Sequence, residues 1–182
     1  WVLYLGAEDL AGLPEFLRSA MSEAAEMRGH GGRYAVTLSR SIYEPFMSFS
    51  ERRDLREQVF RAFTMRGQNG GETDNTAVVA DLLALRAEKA RLLGYGSYAD
   101  LKLDDTMAKT PKAVAGLLDP VWEKALEKAA ADEASLQRLA ADAGSNEKIA
   151  AWDWRFYQEK LRARKYAFDE AELKPYLQLD RI

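Results

Sequence analysis

The sequence of 182 residues contains no cysteine and only one histidine, His30. The absence of cysteine excludes disulfide bonds, thiolate metal ligands and a cysteine nucleophile. A single histidine cannot supply the two imidazoles, four residues apart on a helix, that commonly hold a catalytic zinc ion around a glutamate base. His30 also lies in a glycine turn, which favours a solvent-exposed residue over a metal ligand.

An excess of positive charge and long apolar runs are lacking as well. The 26 lysines and arginines are outnumbered by 29 aspartates and glutamates, so charge gives no argument for binding nucleic acid or an anionic membrane. No apolar run approaches the roughly 20 residues that cross a bilayer. The N-terminus has no basic region and soon meets Glu8 and Asp9, unlike a secretory signal. These features predict a soluble, cytoplasmic protein without nucleic-acid or membrane partners, and they leave a periplasmic location open.

What is present is mostly helical periodicity between clear start and stop signals. Pro14 is predicted to be the first residue of a helix that Gly29 ends, and Ser50 to cap a helix that reaches about Arg66. Further helices are predicted from Asp74 or Asn75 to Gly94, from Ser97 to about Leu103, from Pro111 with a kink at Pro120, from Asn146 or Glu147, and after Asp169.

Two short segments have the composition of strands instead. Residues 1–5 and 34–38 are rich in aromatic and branched side chains and could pair as antiparallel neighbours. Ser39 to Ser48 contains Pro45 and polar residues, which predicts a loop. The predicted fold class is therefore mainly α, a multi-helix domain with a small two-stranded β-ribbon near the N-terminus. No linker is evident, so residues 1–182 are predicted to form a single helical domain or fragment without an internal boundary.

Other groups that could form a functional site are better explained as solvent-exposed surface residues. Two carboxylate pairs, Glu23 with Glu26 and Asp104 with Asp105, lie among basic residues. The glycine loop Gly67 to Gly71 lacks the GK[ST] sequence of a phosphate-binding loop. One predicted helix is rich in arginine, with Arg52, Arg53, Arg56, Arg61 and Arg66. Acidic residues alternate with these arginines, which predicts a solvent-exposed face with ion pairs such as Glu57 with Arg61. No residue is predicted to be catalytic, cofactor-binding or metal-binding.

The densest aromatic cluster lies between Ala150 and Ile182. Trp154, Tyr157 and Leu161 share one helix face, which Trp152 and Phe156 widen, so this face is predicted to be buried. The run AWDWRFYQEKLRARKYAFDEAELKPYLQLDR resembles a segment of the thimet oligopeptidase, oligopeptidase A and peptidyl-dipeptidase family of zinc metallopeptidases. Three further stretches resemble the same family in the same order: Ser39 to Gly67, Gly71 to Leu103 and Met107 to Asp119.

The resemblance implies part of a larger helical metallopeptidase fold that cleaves short peptides and uses zinc. Family members carry an HExxH helix and a downstream glutamate ligand, and none of these positions has a match in this chain. The chain begins at Trp1 without a methionine and ends at Ile182 just after a predicted new element. We therefore expect an internal piece, N-terminal to the HExxH motif, that is inactive scaffold and channel wall and binds no zinc itself.

The resemblance also implies partners within the parent enzyme. Trp152, Trp154 and Tyr157 are predicted to bind the last helices to the absent catalytic half or to each other, and the loop from Gly67 to Asn75 to form a mobile rim. Apolar surface left by the missing half could make the isolated piece self-associate. The alternatives are a free-standing, non-catalytic helical protein-binding module and an enzyme with a carboxylate-only metal site. The sequence leaves open the peptide specificity and the oligomeric state. It also leaves open whether the parent enzyme cuts peptides internally or releases dipeptides from their C-termini.

Overall fold

The computed structural model describes residues 1–166 and Tyr176. The described part contains two strands and seven α-helices: β1 (Val2–Leu5), α1 (Glu15–Glu26), β2 (Tyr34–Thr37), α2 (Arg40–Phe49), α3 (Arg53–Thr64), α4 (Thr76–Leu92), α5 (Tyr98–Leu103), α6 (Pro111–Asp142) and α7 (Trp154–Tyr166). The predicted fold class, mainly α with a small two-stranded ribbon near the N-terminus, is confirmed. The helix predicted after Asp169 lies outside the described residues.

The ribbon and α1 form the N-terminal layer. Strands β1 and β2 are antiparallel, with Val2 opposite Thr37 and Leu5 opposite Tyr34. Helix α1 connects them and buries Leu17, Met21 and Ala25 on one face. Pro14 is the residue that precedes the helix rather than its first residue, because its backbone is extended, with φ −71° and ψ 157°.

Helix α2 replaces the loop predicted from Ser39 to Ser48, so that prediction is wrong. The segment buries four side chains at helical spacing: Ile42, Tyr43, Phe46 and Met47. Pro45 lies inside the helix, where it has no N–H to donate to the carbonyl of Ser41 and its ring crowds that carbonyl, at a cost of about 3 kcal/mol. Burial of four large side chains outweighs that cost.

The boundaries of α3 and α7 also differ from the predicted ones. Ser50, the predicted N-cap of α3, follows α2, and its N–H donates to the carbonyl of Phe46. The helix predicted to begin near Asn146 begins instead at Trp154, after a short 3-10 turn, Ala151–Asp153. Trp152 lies against the main core, and Trp154 and Tyr157 pack on a smaller cluster of Leu136, Ala140 and Ile149, as predicted. The predicted burial of this face is wrong for Leu161, which is 38% exposed.

The chain divides into two compact units. The first comprises Trp1–Thr64 and the described residues from Glu133 onward, and the second comprises Met65–Asp132. The second unit contains α4, α5 and most of α6, which runs through Pro120 without ending. Within it, Ser97 caps α5 as predicted, since its Oγ accepts from the N–H of Asp100 at 3.1 Å. The absence of an internal domain boundary stays a prediction. Among the described helices, none has the length and apolarity to span a membrane.

Candidate functional site

Asp153 is the buried centre of an ion cluster in the first unit. Its carboxylate accepts hydrogen bonds from Arg53 Nη2 at 2.9 Å and from Arg56 Nη2 at 2.8 Å. It also accepts the backbone N–H of Ala150 at 3.0 Å. Glu147 adds an exposed ion pair to Arg53 on the outer side of the cluster. The cluster therefore ties α3 to the turn before α7.

Arg56 is the buried cation of this cluster, with 2% of its side chain exposed. Its Nη1 donates to the carbonyl of Ser50 at 2.6 Å, and its Nε donates to the carbonyl of Trp152 at 3.3 Å. Its guanidinium carbon lies 4.1 Å from the ring centre of Phe156, close enough for a cation–π contact. Every nitrogen of the guanidinium thus has an acceptor, which is what makes burial of this charge tolerable.

The prediction that the arginine-rich helix is a solvated face is wrong for Arg56. It is confirmed for the pair predicted on the outer face, because Arg61 Nη2 lies 2.7 Å from Glu57 Oε1. The sequence does contain a hint that Arg56 is buried, because its spacing places it on the same helix face as Val59 and Phe63. The sequence does not show the partner, because Asp153 lies 97 residues further along the chain.

Trp152 completes the cluster on the side of α3. The guanidinium carbons of Arg53 and Arg61 lie 5.7 Å and 5.1 Å from the centre of its ring, and the ring contacts that of Phe60. Among the described residues, no atom accepts a hydrogen bond from its buried indole N–H. Besides its packing against the main core, Trp152 therefore interacts with rings and cations.

The charges around Asp153 shift its acidity. Burial alone would raise the pKa of Asp153, but hydrogen bonds from Arg53, the backbone N–H of Ala150 and Arg56 outweigh burial and hold this pKa below its ordinary value. The pKa of Arg53 is raised by its hydrogen bond to Asp153. Asp153 is therefore an anion throughout the neutral range.

We expect the stability of the first unit to fall at acid pH. A carboxylate whose pKa is lower in the folded state stabilises the fold above its unfolded pKa, near 4, and loses this contribution as the pH falls through the folded pKa. Urea unfolding at a series of pH values from neutral to about 3 tests this, with Asp153→Asn as the control because it cannot titrate. Equal pH dependence of the two proteins below pH ~4 would contradict the prediction.

The other candidate residues are dispersed. His30 is exposed and lies against Tyr4, with ring centres 4.0 Å apart. Glu23 and Glu26 are exposed, and the exposed Asp104 accepts a hydrogen bond from Tyr95. In the part of the chain that the structure describes, no three histidine, aspartate or glutamate side chains converge as metal ligands. The described donors therefore do not fit a zinc ion, and the absence of a metal site from the chain stays a prediction.

The glycine loop is closed by a backbone bond. The N–H of Asn75 donates to the carbonyl of Gly67 at 2.7 Å, and Asp74 Oδ1 accepts the N–H of Thr76 at the start of α4. Gly67, Gly70 and Gly71 all have φ between 75° and 80°, a conformation that glycine adopts without strain. The mobile rim proposed for this loop stays a prediction.

Helix α4 exposes an apolar surface that faces solvent in the second unit. The helical spacing is as predicted, yet seven large apolar side chains in and directly after the helix are 41% to 79% exposed: Val78, Val79, Leu82, Leu83, Leu85, Leu92 and Leu93. Helix α6 has a comparable set between Leu117 and Leu126. Surfaces of this kind mark interaction sites in soluble proteins.

The comparison with known proteins identifies the family of the chain. The sequence model of Peptidase family M3 matches residues 46–182, so the chain belongs to this peptidase family. The family predicted from the motifs is thereby confirmed.

Several curated relatives carry more specific names. The chain is 36% identical to oligopeptidase A of Haemophilus influenzae over 178 residues, which is 96% of the chain and 26% of that protein. It is 34% identical to dipeptidyl carboxypeptidase of Salmonella typhimurium, over 97% of the chain and 26% of that protein. It is 36% identical to the organellar oligopeptidase A of Arabidopsis thaliana, over 96% of the chain and 23% of that protein. The chain spans about a quarter of the length of these relatives.

Proposed function

We propose that these 182 residues form a non-catalytic scaffold and channel-wall segment of a zinc-dependent metallopeptidase. The observation that carries the proposal is the family match over residues 46–182 in a chain with one histidine and no cysteine. Three protein ligands and an open position for water are needed for a catalytic zinc site. The parent enzyme supplies those ligands from sequence beyond this chain.

The buried ion cluster supports a scaffold role. Asp153, Arg53 and Arg56 have their hydrogen bonds within the cluster, and the pKa of Asp153 is lowered rather than raised toward neutrality. A general acid or base for peptide hydrolysis works best with a pKa near the working pH. The cluster therefore positions helices and does not transfer protons.

The names of the relatives support short peptides as the substrate of the parent enzyme. Relatives named oligopeptidase A and dipeptidyl carboxypeptidase match the chain over similar lengths, so internal cleavage and removal of C-terminal dipeptides are both compatible with it. A relative in Arabidopsis thaliana is named a probable cytosolic oligopeptidase A, which supports a cytoplasmic location. In this proposal the chain binds the catalytic half of the same polypeptide.

We expect the purified chain to contain no stoichiometric zinc and to leave a short quenched-fluorescent peptide uncleaved, with or without a chelator. Metal analysis by mass spectrometry and the fluorescence assay check this, with oligopeptidase A of Escherichia coli as the positive control. Stoichiometric zinc with chelator-sensitive cleavage would overturn the proposal. Loss of that zinc in His30→Ala would then identify the site that the proposal excludes.

The second candidate is a free-standing helical protein-binding module without catalysis. It is favoured by the exposed apolar face of α4 and by an apolar groove of about 500 Å³ between α5 and α6, lined in part by Leu103, Val114 and Leu118. The natural gene discriminates the two candidates: continuation past Ile182 into an HExxH sequence supports the peptidase segment. A carboxylate-only enzyme would require tight metal binding by the chain, which the metal analysis also tests.

A further inference from the structure

The second unit has almost no core of its own. The structure describes all of Met65–Asp132, and Ala90 is the one residue in that range that is buried. Both clusters of buried apolar side chains among the described residues belong to the first unit. A folded unit depends on burying apolar surface, because this burial is the main contribution that offsets the entropy of the chain. The second unit therefore needs apolar contacts that the described residues do not supply.

Helix α4 is apolar on nearly every side between residues 76 and 85. This part of the helix carries a single charge, at Asp81. Successive residues of a helix point about 100° apart. Leu82, Leu83 and Ala84 therefore face three different sides, and all three are exposed. A helix at the surface of a complete fold has one apolar stripe and a polar opposite face, whereas a helix that is apolar all round is buried. The composition of this part of α4 is that of an interior helix.

We infer that residues 76–85 of α4 form an interior helix of the parent enzyme, enclosed on all sides by parts of the polypeptide outside residues 1–182. The inference rests on the proposed function, because it requires a parent enzyme longer than this chain. The chain spans about a quarter of the length of its relatives, so in a polypeptide of that length most of the sequence is available to pack on α4. Asp81 then needs a cation or an N–H donor from those parts, since a buried charge without a partner is costly.

A second copy of the chain does not account for this enclosure. A twofold pair brings the same patch of each copy together, so it covers one side of each helix and leaves the opposite side exposed. In α4 the large apolar side chains and the alanines lie on opposite sides, as Leu82 and Ala80 do, and both sides are exposed. Several neighbouring elements are needed to cover both sides, and the interior of a larger helical fold provides them.

Cysteine labelling measures the enclosure directly, because the chain has no cysteine of its own. Leu82→Cys, Leu83→Cys and Ala84→Cys are made one at a time, in the isolated chain and in the parent enzyme. Labelling by N-ethylmaleimide is followed by mass spectrometry on the tryptic peptide Gly67–Arg86, which contains all three positions. We expect each cysteine to react at least about 100-fold more slowly in the parent enzyme, because reaction there requires local opening of the fold.

Gln68→Cys provides the matched control within the same tryptic peptide. Gln68 lies in the exposed glycine loop before α4. Its cysteine should react at rates within about threefold of each other in the isolated chain and the parent enzyme, because exposed loops open at almost no cost. Far-ultraviolet circular dichroism shows that each variant is folded.

Equal labelling rates in the isolated chain and the parent enzyme at the three α4 positions would overturn the inference. Protection at only one or two positions would leave a side of the helix open and would overturn enclosure on all sides. Labelling of the isolated chain that slows as its concentration rises from about 1 to 100 µM would assign the helix to a second copy and also overturn the inference.

Failure of the inference and failure of the proposed function give different results. A parent enzyme that cleaves peptides but leaves α4 open to labelling would overturn the inference alone. A natural gene that ends at Ile182 would overturn both, because no parent polypeptide would then exist to enclose the helix.

Discussion

Replacing Asp153 with alanine is expected to lower the free energy of unfolding by about 3 to 5 kcal/mol. The substitution leaves the guanidinium of Arg56 with 2% exposure and no counter-ion, and it removes two acceptor atoms from Arg53. An uncompensated buried charge is costly because the protein interior replaces its hydration only in part. Urea unfolding followed by circular dichroism measures the change.

Glu147→Ala provides the matched control for Asp153→Ala. Glu147 pairs with the same Arg53, but its side chain is 63% exposed. An exposed ion pair contributes about 1 kcal/mol or less, so this variant should unfold almost like the original chain. Equal losses in the two variants would mean that burial of the cluster has no energetic importance.

Replacing Phe46 with alanine is expected to cost about 3 to 5 kcal/mol of stability. Phe46 lies in α2 with none of its surface exposed, in the main core with Leu17 and Val59. The cost combines the lost free energy of transferring the phenyl ring from water to the core with the cost of the cavity that remains. Because sequence patterns place this residue in a loop, where truncation would cost little, the experiment also tests the helix itself.

Phe16→Ala gives the comparison for Phe46→Ala in the same assay. Phe16 lies on α1 and is 59% exposed, with an edge contact to Phe49. The loss of stability should stay within about 1 kcal/mol. A loss as large as that of Phe46→Ala would count against the described packing of α1 and α2.

Most of the helices could be predicted because their signals are local. Ser97 and Asp100 cap α5 through atoms three residues apart, and Gly94 follows α4 with φ 82°. Pro45 shows the limit of such signals. A proline inside a helix loses one backbone hydrogen bond and crowds the preceding turn, and only the three-dimensional core reveals that four buried side chains outweigh this cost.

The candidate sites depend on contacts that the sequence does not display. Because acids such as Glu57 lie close in sequence, every arginine of α3 is predicted to be exposed to solvent. Arg56 is instead buried and pairs with a carboxylate 97 residues away. The spacing of Val78, Leu82 and Leu85 predicts an apolar helix face, but exposure depends on what packs there and not on the spacing. Periodicity therefore identifies a face and leaves its partner open.

The ion pair between Arg56 and Asp153 also sets an order of events during synthesis. A ribosome adding about 5 to 20 residues per second needs on the order of 10 s to make the 97 residues that separate the two side chains. Until Asp153 emerges, Arg56 has no counter-ion from this cluster and remains hydrated, so the core around α3 closes late. Chains truncated before Asp153 should therefore be more sensitive to protease than chains that contain it.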